Sequence, residues 1–258
     1  MTKLRTVNVT RYITPLREGG SLPAIVEADD EGMYVLKFRG AGQGPKALIA
    51  ELLAGEIARI LGFRVPEIVF AELDAELSRT EPDPEIQDLL RSSAGLNLGL
   101  DYLPGSITFD PIVDEIDALL ASKIVWFDSF ITNVDRTARN SNMLMWHEEL
   151  WLIDHGAALY FQHSWDFWRE QSIKPFSQIR DHILLPFASE LAAISREMNS
   201  QLDRSIFESI VETIPNSWLE GDGSPQEKRS VYQEFLVNRH RHSNIFLEEA
   251  ERARQKLV

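Results

Sequence analysis

The chain has 258 residues, 26 Lys and Arg against 40 Asp and Glu, a formal net charge of −14 and no cysteine. That length suits one large domain or two small lobes, with ample length for a core. Without cysteine there are no disulfides, thiolate metal sites or thiol nucleophiles, and the acidic surface argues against general nucleic-acid binding. No window approaches ~18 consecutive apolar residues, so no membrane span is expected. The first residues, MTKLRTVNVTRYITPL, alternate polar and apolar and lack an apolar signal core, so a cytoplasmic location is expected.

In chain order, residues 5–13 and 23–28 read as strands joined by TPLREGGSL, where Gly19 and Gly20 mark a tight connection. The run GMYVLKF reads as a third strand, with Val35 and Lys37 on one face and Leu36 and Phe38 on the other. A glycine-rich loop, AGQGP, precedes an amphipathic helix, KALIAELLAGEIARILG, with Gly62 as its C-terminal cap. Pro66 to Leu73 is strand-like. Residues 74–92 are acidic, carry Pro82 and Pro84, and read as a loop plus one short helix.

From Gly95 the character changes. GLNLGLDYLPG reads as a short strand and a connector. A long apolar stripe (Ile116, Leu119, Leu120, Ile124, Trp126, Phe127) predicts a helix over 114–131. Residues 143–146 and 150–153 form two short strands around His147-Glu-Glu, and the last ~100 residues read as several helices by their apolar spacing. The expectation is an α+β, two-lobed chain: residues 1–96 a β-rich N-lobe, residues 97–258 an α-helical C-lobe.

The chemistry concentrates in ITNVDRTARNSNMLMWHEELWLIDHG, residues 131–156. Magnesium takes oxygen ligands, commonly one or two carboxylates plus substrate phosphates. Asp135, then Asn140, then a hairpin that returns Asp154 beside them, suits that task, with Gly156 as the turning point after the ligand. Lys37, on a strand among apolar residues, needs a partner for its ammonium. Glu51, on the helix face of Leu48 and Leu52, can supply one. Such a pair can hold a lysine on the α- and β-phosphates of ATP.

Strand lysine, helix glutamate, Asp-x4-Asn and Asp-x-Gly in this order resemble the parts of the protein kinase-like fold. The loop NVDRTARNSNML with LWLIDHG resembles the HipA-like kinases and, in its catalytic and metal motifs, the phosphatidylinositol kinases. AELLAGEIARILGFRVPEI, with its Gly-x-x-x-Pro turn after the glutamate helix, adds to the HipA likeness. The resemblance spans about residues 15–165. It implies a two-lobed kinase fold and transfer of a phosphoryl group from ATP, with Mg2+, to a hydroxyl. A protein serine or threonine is the first choice of acceptor. Asp135 would act as base or orienter, Asn140 and Asp154 would hold the metal, and Lys37, held by Glu51, would bind phosphates. Asp101, Tyr102 and Leu103 would form the hinge against adenine, and Gly19, Gly20 and Ser21 would lie over the phosphates, Ser21 being a candidate for autophosphorylation. A bacterial toxin–antitoxin-like setting comes with the same resemblance.

Competing readings stand beside these. Asp135 could be a helix N-cap, Asp154-His155-Gly156 an ordinary turn and Lys37 a solvated edge residue. Asn142 competes with Asn140, and Glu56 with Glu51. Arg136 and Arg139 could bind phosphate or pair with acidic neighbours. His155 reads as a packing and hydrogen-bonding residue, with no chemistry assigned to it. The run Arg239 to His242 reads as a solvated face. The aromatic run from Tyr160 to Trp168 reads as core before it reads as a docking surface. A lipid or small-molecule kinase, or a nucleotide-binding pseudokinase or regulatory module, remain the alternative functions.

Overall fold

The computed structural model describes residues 4–16 and 22–257. Strands β1 (Thr6–Pro15), β2 (Ala24–Ala28), β3 (Met33–Lys37), β4 (Ile68–Leu73) and β5 (Gly95–Asp101) close into a barrel in the order β1-β2-β3-β5-β4. Closure comes from the parallel pairing of β1 with β4, Val7 opposite Ala71. A closed sheet leaves no edge to aggregate. Its interior is filled by alternate residues, among them Val7, Val26, Tyr34, Leu36, Val69 and Ala71. Helix α2 (Pro84–Ser92) adds Ile86 and Leu90 to that core. The segment 74–92 thus holds a 3-10 helix over Ala75–Thr80 as well as the one expected short helix, and it packs against the barrel through apolar side chains.

Strand alternation sends Tyr34 and Leu36 into the barrel, and Val35 and Lys37 outward. On that outer side lies α1 (Pro45–Ile60), in which every residue from Leu48 to Ala58 is buried. The helix is covered on two sides. Its apolar residues join Leu98 and Leu100 of β5 and also the helices of the second half in one core. Gly55 is needed at this contact, because a Cβ there would sit 2.5 Å from Ile68 Cδ1.

After β5 comes a three-stranded sheet, β6 (Ile107–Thr108), β7 (Met143–Trp146) and β8 (Glu149–Leu152). The β7–β8 turn uses His147 and Glu148, both at positive φ (51° and 64°), as a two-residue hairpin with the native twist requires. Helix α3 (Ala118–Ile131) is capped by Asp117 and begins four residues later than the expected start at residue 114. It is the centre of the second half, with α4 (Trp168–Ser172), α5 (Leu191–Ser200), α6 (Arg204–Val211), α7 (Pro225–Arg241) and α8 (Ser243–Arg254) following it in the chain. Trp126 stacks on Phe130 at 5.6 Å, and Phe246 of α8 meets both rings.

Within the run 239–242, read as a solvated face, Arg241 and His242 are exposed, but Arg239 corrects the reading. Its guanidinium is buried and bonds the carbonyls of Ser129, Phe130 and Lys174. The C-terminus of a helix presents unpaired carbonyls and negative dipole charge, and a cation satisfies both. Arg239 therefore ties down the end of α3, from which the residues of interest emerge.

Candidate active site

The site lies where β3, α1 and the β7–β8 hairpin meet. Lys37 Nζ donates to Glu51 Oε2 at 3.0 Å and to Asp154 Oδ1 at 2.5 Å. The side chains of Lys37 and Glu51 are 11% and 1% exposed, that of Asp154 41%. Burial alone would lower the pKa of Lys37, but the two carboxylates outweigh it and raise it. Burial pushes the Glu51 carboxyl up, and Lys37 and His155 more than reverse this, holding it below the ordinary range. Glu56 does not share the role. It pairs with Arg59 at 3.0 Å, one helical turn on.

The loop after α3 starts with a left-handed residue, Thr132 (φ 55°), and Asn133 N–H caps back to Asp128 O. Asp135 follows, and the next element is the strand Met143–Trp146 with no helix starting after Asp135, which excludes the N-cap reading. Its Oδ2 accepts from Asn140 Nδ2 (2.8 Å) and Asn142 Nδ2 (3.3 Å). Asn142 also reaches Asp154 O at 3.5 Å, and its own carbonyl accepts from Ile153 N at 3.0 Å. Asn140 is exposed, its backbone paired with Thr137 and its side chain bonded to Asp135, whereas Asn142 is buried and joins the Asp135 loop to the Asp154 loop. The sharp turn lies at Asp154 itself (φ 54°) and not at Gly156, which corrects the sequence reading. Aspartate tolerates this conformation better than most residues. Gly156 packs instead on the start of α1, 3.7 Å from Ala47 by the position of an added Cβ.

Beneath this layer is a buried charge cluster that the sequence reading did not find. Asp128 Oδ2 pairs with Arg136 Nε at 2.5 Å with neither side chain exposed, and accepts from His182 Nε2 at 2.8 Å. Its Oδ1 accepts from Asn133 Nδ2 at 2.9 Å. His182 Nδ1 accepts from Leu184 N–H, so its proton sits on Nε2 and faces Asp128. Arg136 also donates to the carbonyl of Asn142. Burial pushes Asp128 up, yet Arg136 and His182 hold it well below the usual carboxylate range. Arg136 is therefore a strut of the loop rather than a phosphate ligand. The clue in the sequence was Asp128 itself, a carboxylate inside the apolar run KIVWFDSFI.

Of the expected hinge residues, Asp101 N–H already donates to Glu67 O (2.9 Å) and Tyr102 N–H to Met33 O (3.0 Å). The Leu103 N–H has no partner among the described residues, and its side chain is buried. Gly19, Gly20 and Ser21 lie outside the described residues. The aromatic run divides: Phe161 and Trp168 are buried, while Tyr160 and Phe167 are exposed. Arg139 is exposed, and among the described residues it has no ion pair.

The donor set tests a metal directly. Asp135, Asn140, Asn142 and Asp154 offer hard oxygens, the chemistry magnesium selects. Among the described residues there is no group of three or more His, Cys, Asp or Glu placed to cage a metal ion.

Comparison with known proteins identifies the family. The family model for HipA-like kinase matches residues 9–244, so the chain belongs to the HipA-like kinase family and is a phosphotransferase by class. No curated protein matches the sequence. Solved structures that share the fold include two kinases. One is a Helicobacter pylori proinflammatory kinase, CtkA, at 12% identity and a TM-score of 0.52, with 100% of each chain covered. The other is the Golgi casein kinase with Mn/ADP bound, at 13% identity and a TM-score of 0.52, covering 100% of this chain and 76% of that one. The fold is thus the two-lobed, α+β kinase-like fold expected from the sequence. Among the described residues, no helix is long and apolar enough to cross a membrane.

Proposed function

We propose that this kinase transfers the γ-phosphoryl group of ATP, with Mg2+, to the hydroxyl of a protein serine or threonine in the cytoplasm. The observation that carries it is the meeting of Lys37, Glu51 and Asp154, from three distant parts of the chain, beside a loop in which Asp135 is fixed by two amides. The nucleotide side is the barrel lobe. We place the change of lobe at the end of β5 rather than after residue 96, because β5 pairs along its length with β3 and β4.

Phosphoryl transfer is mostly positioning and charge neutralisation. Lys37, oriented by Glu51, would donate to phosphate oxygens. Asp154 and the amide oxygen of Asn140 or Asn142 would hold the cation. When bound, magnesium neutralises charge on the phosphates and orients them. Asp135 has one oxygen engaged by the two asparagines. Its Oδ1, without a partner among the described residues, would take the hydroxyl proton as the new P–O bond forms and ADP leaves. Leu103 is the hinge residue whose N–H is available to adenine.

A kinase structure with Mn/ADP among the fold relatives supports the use of nucleotide and divalent metal. The test is transfer of labelled γ-phosphate to protein substrates by wild type and Asp135→Asn. The variant should lose about 10²-fold or more in kcat, as expected for a removed general base, with nucleotide affinity kept. Undiminished transfer would refute the role of Asp135. Transfer only to lipids or small molecules would move the acceptor class to the alternative.

A further inference from the structure

Glu51 is held from two sides. Lys37 takes Oε2, and His155 Nδ1 lies 3.3 Å from Oε1. His155 is the middle residue of the Asp-His-Gly motif, buried, with its ring edge-on to Phe127 at 5.8 Å. A carboxylate only accepts hydrogen bonds, so the ring proton on this side must sit on Nδ1. The other nitrogen, Nε2, is then buried with no partner among the described residues. An unpaired buried nitrogen is unfavourable, and an apolar ring would pack on Phe127 without that cost. What the imidazole adds over such a ring is the bond to Glu51.

That bond has a consequence for the neighbouring groups. Lys37 divides its donors between Glu51 and Asp154, and a phosphate would compete for them. Glu51 Oε1 is not affected by that competition, because His155 holds it. The peptide that carries His155 also carries Asp154, so the same bond fastens the Asp154 turn to α1. Gly156 lies against the start of α1, and Lys46 Nζ donates to Gln162 O at 2.8 Å further along, so the segment is fastened to the helix at three points.

We propose that His155 is a positioning residue for phosphoryl transfer: through its Nδ1–H it fixes Glu51, and through Glu51 it fixes Lys37 relative to Asp154. This rests on the kinase reading above. The test compares wild type, His155→Asn and His155→Phe in binding of Mg·ADP and in the kcat and KM for ATP. The asparagine amide places an N–H close to where Nδ1 stands, whereas phenylalanine keeps the ring and loses the donor.

The expected result is His155→Asn within about threefold of wild type, and His155→Phe weakened about tenfold or more, chiefly in KM for ATP and in Mg·ADP affinity, as for loss of a hydrogen bond to a charged group. If the phenylalanine ring does not fit, His155→Met, which packs more adaptably, takes its place. A folded donor-free variant that binds and turns over like wild type would overturn the proposal. So would His155→Asn as weak as His155→Phe, because the ring and not its N–H would then matter. A wild type that ignores Mg·ADP would overturn the kinase reading and the proposal together. A responsive wild type alongside an equally responsive His155→Phe would overturn the proposal alone.

Discussion

Lys37 Nζ lies 2.5 Å from Asp154 Oδ1, a contact across 117 residues of chain that joins the barrel to the hairpin of the second half. The same ammonium neutralises Glu51, which is 1% exposed and cannot rely on water. Removing Lys37 therefore affects its two partners unequally. Asp154, 41% exposed, can be hydrated; Glu51 is left with His155. Lys37→Met should cost about 3–5 kcal/mol, the range for breaking a buried pair from one side. Removing both charges, as in Lys37→Met with Glu51→Met, should cost less than the sum of the two single changes by about 0.5–3 kcal/mol. Urea unfolding of the four proteins measures this, and simple additivity would contradict the pairing.

Asp128 should matter to stability as much as any residue in the cleft. Alanine there leaves the Arg136 guanidinium and the His182 N–H buried without their shared acceptor. The expected loss is again about 3–5 kcal/mol. Asp128→Asn keeps an acceptor and should lose less. Chemical denaturation distinguishes the two, and catalytic measurements on the asparagine variant report how far the loop depends on the charge.

The same cluster sets a dependence on acid. Burial lowers the pKa of His182, and the attraction of Asp128 does not restore it. In the unfolded chain the ring takes a proton below about pH 6.5, whereas in the fold it stays neutral to lower pH. Protons then favour the unfolded state, so stability is full above about 6.5 and falls as the pH drops from there towards the folded value. Asp128 acts lower down. Its depressed carboxyl contributes fully above about pH 4 and loses that contribution only as the pH falls further. His182→Gln should flatten the fall in stability between pH 7 and 5 without abolishing it, because burial also lowers the pKa of His163. Thermal unfolding over that range tests it, and an unchanged slope would assign the dependence elsewhere.

Much of the site could be read from the chain because its residues are polar where the pattern calls for apolar ones. Lys37 interrupts a buried strand, Glu51 a buried helix face, and the two aspartates flank a hairpin whose length brings them together. The Asp128–Arg136–His182 cluster escaped because its members lie on three elements and have no shared motif; His182 is 54 residues from Asp128. Arg239 escaped because a charged C-terminal run normally faces water, and only the fold places it under the end of α3. The turn assigned to Gly156 belongs to Asp154, since glycine permits a left-handed backbone without requiring one. Closure of the barrel by a parallel β1–β4 pair is a long-range choice that strand periodicity does not encode.

The most direct test of the central claim is thermal unfolding of wild type and Asp154→Ala with and without an ATP analogue and magnesium. A ligand that binds only the folded state adds about 2.7 kcal/mol at a hundredfold excess over its Kd. Wild type should show a magnesium-dependent rise in midpoint that Asp154→Ala loses while remaining folded. An equal rise in both proteins, or no rise in wild type at saturating nucleotide, would contradict the assignment of Asp154 and of the cleft it shares with Lys37.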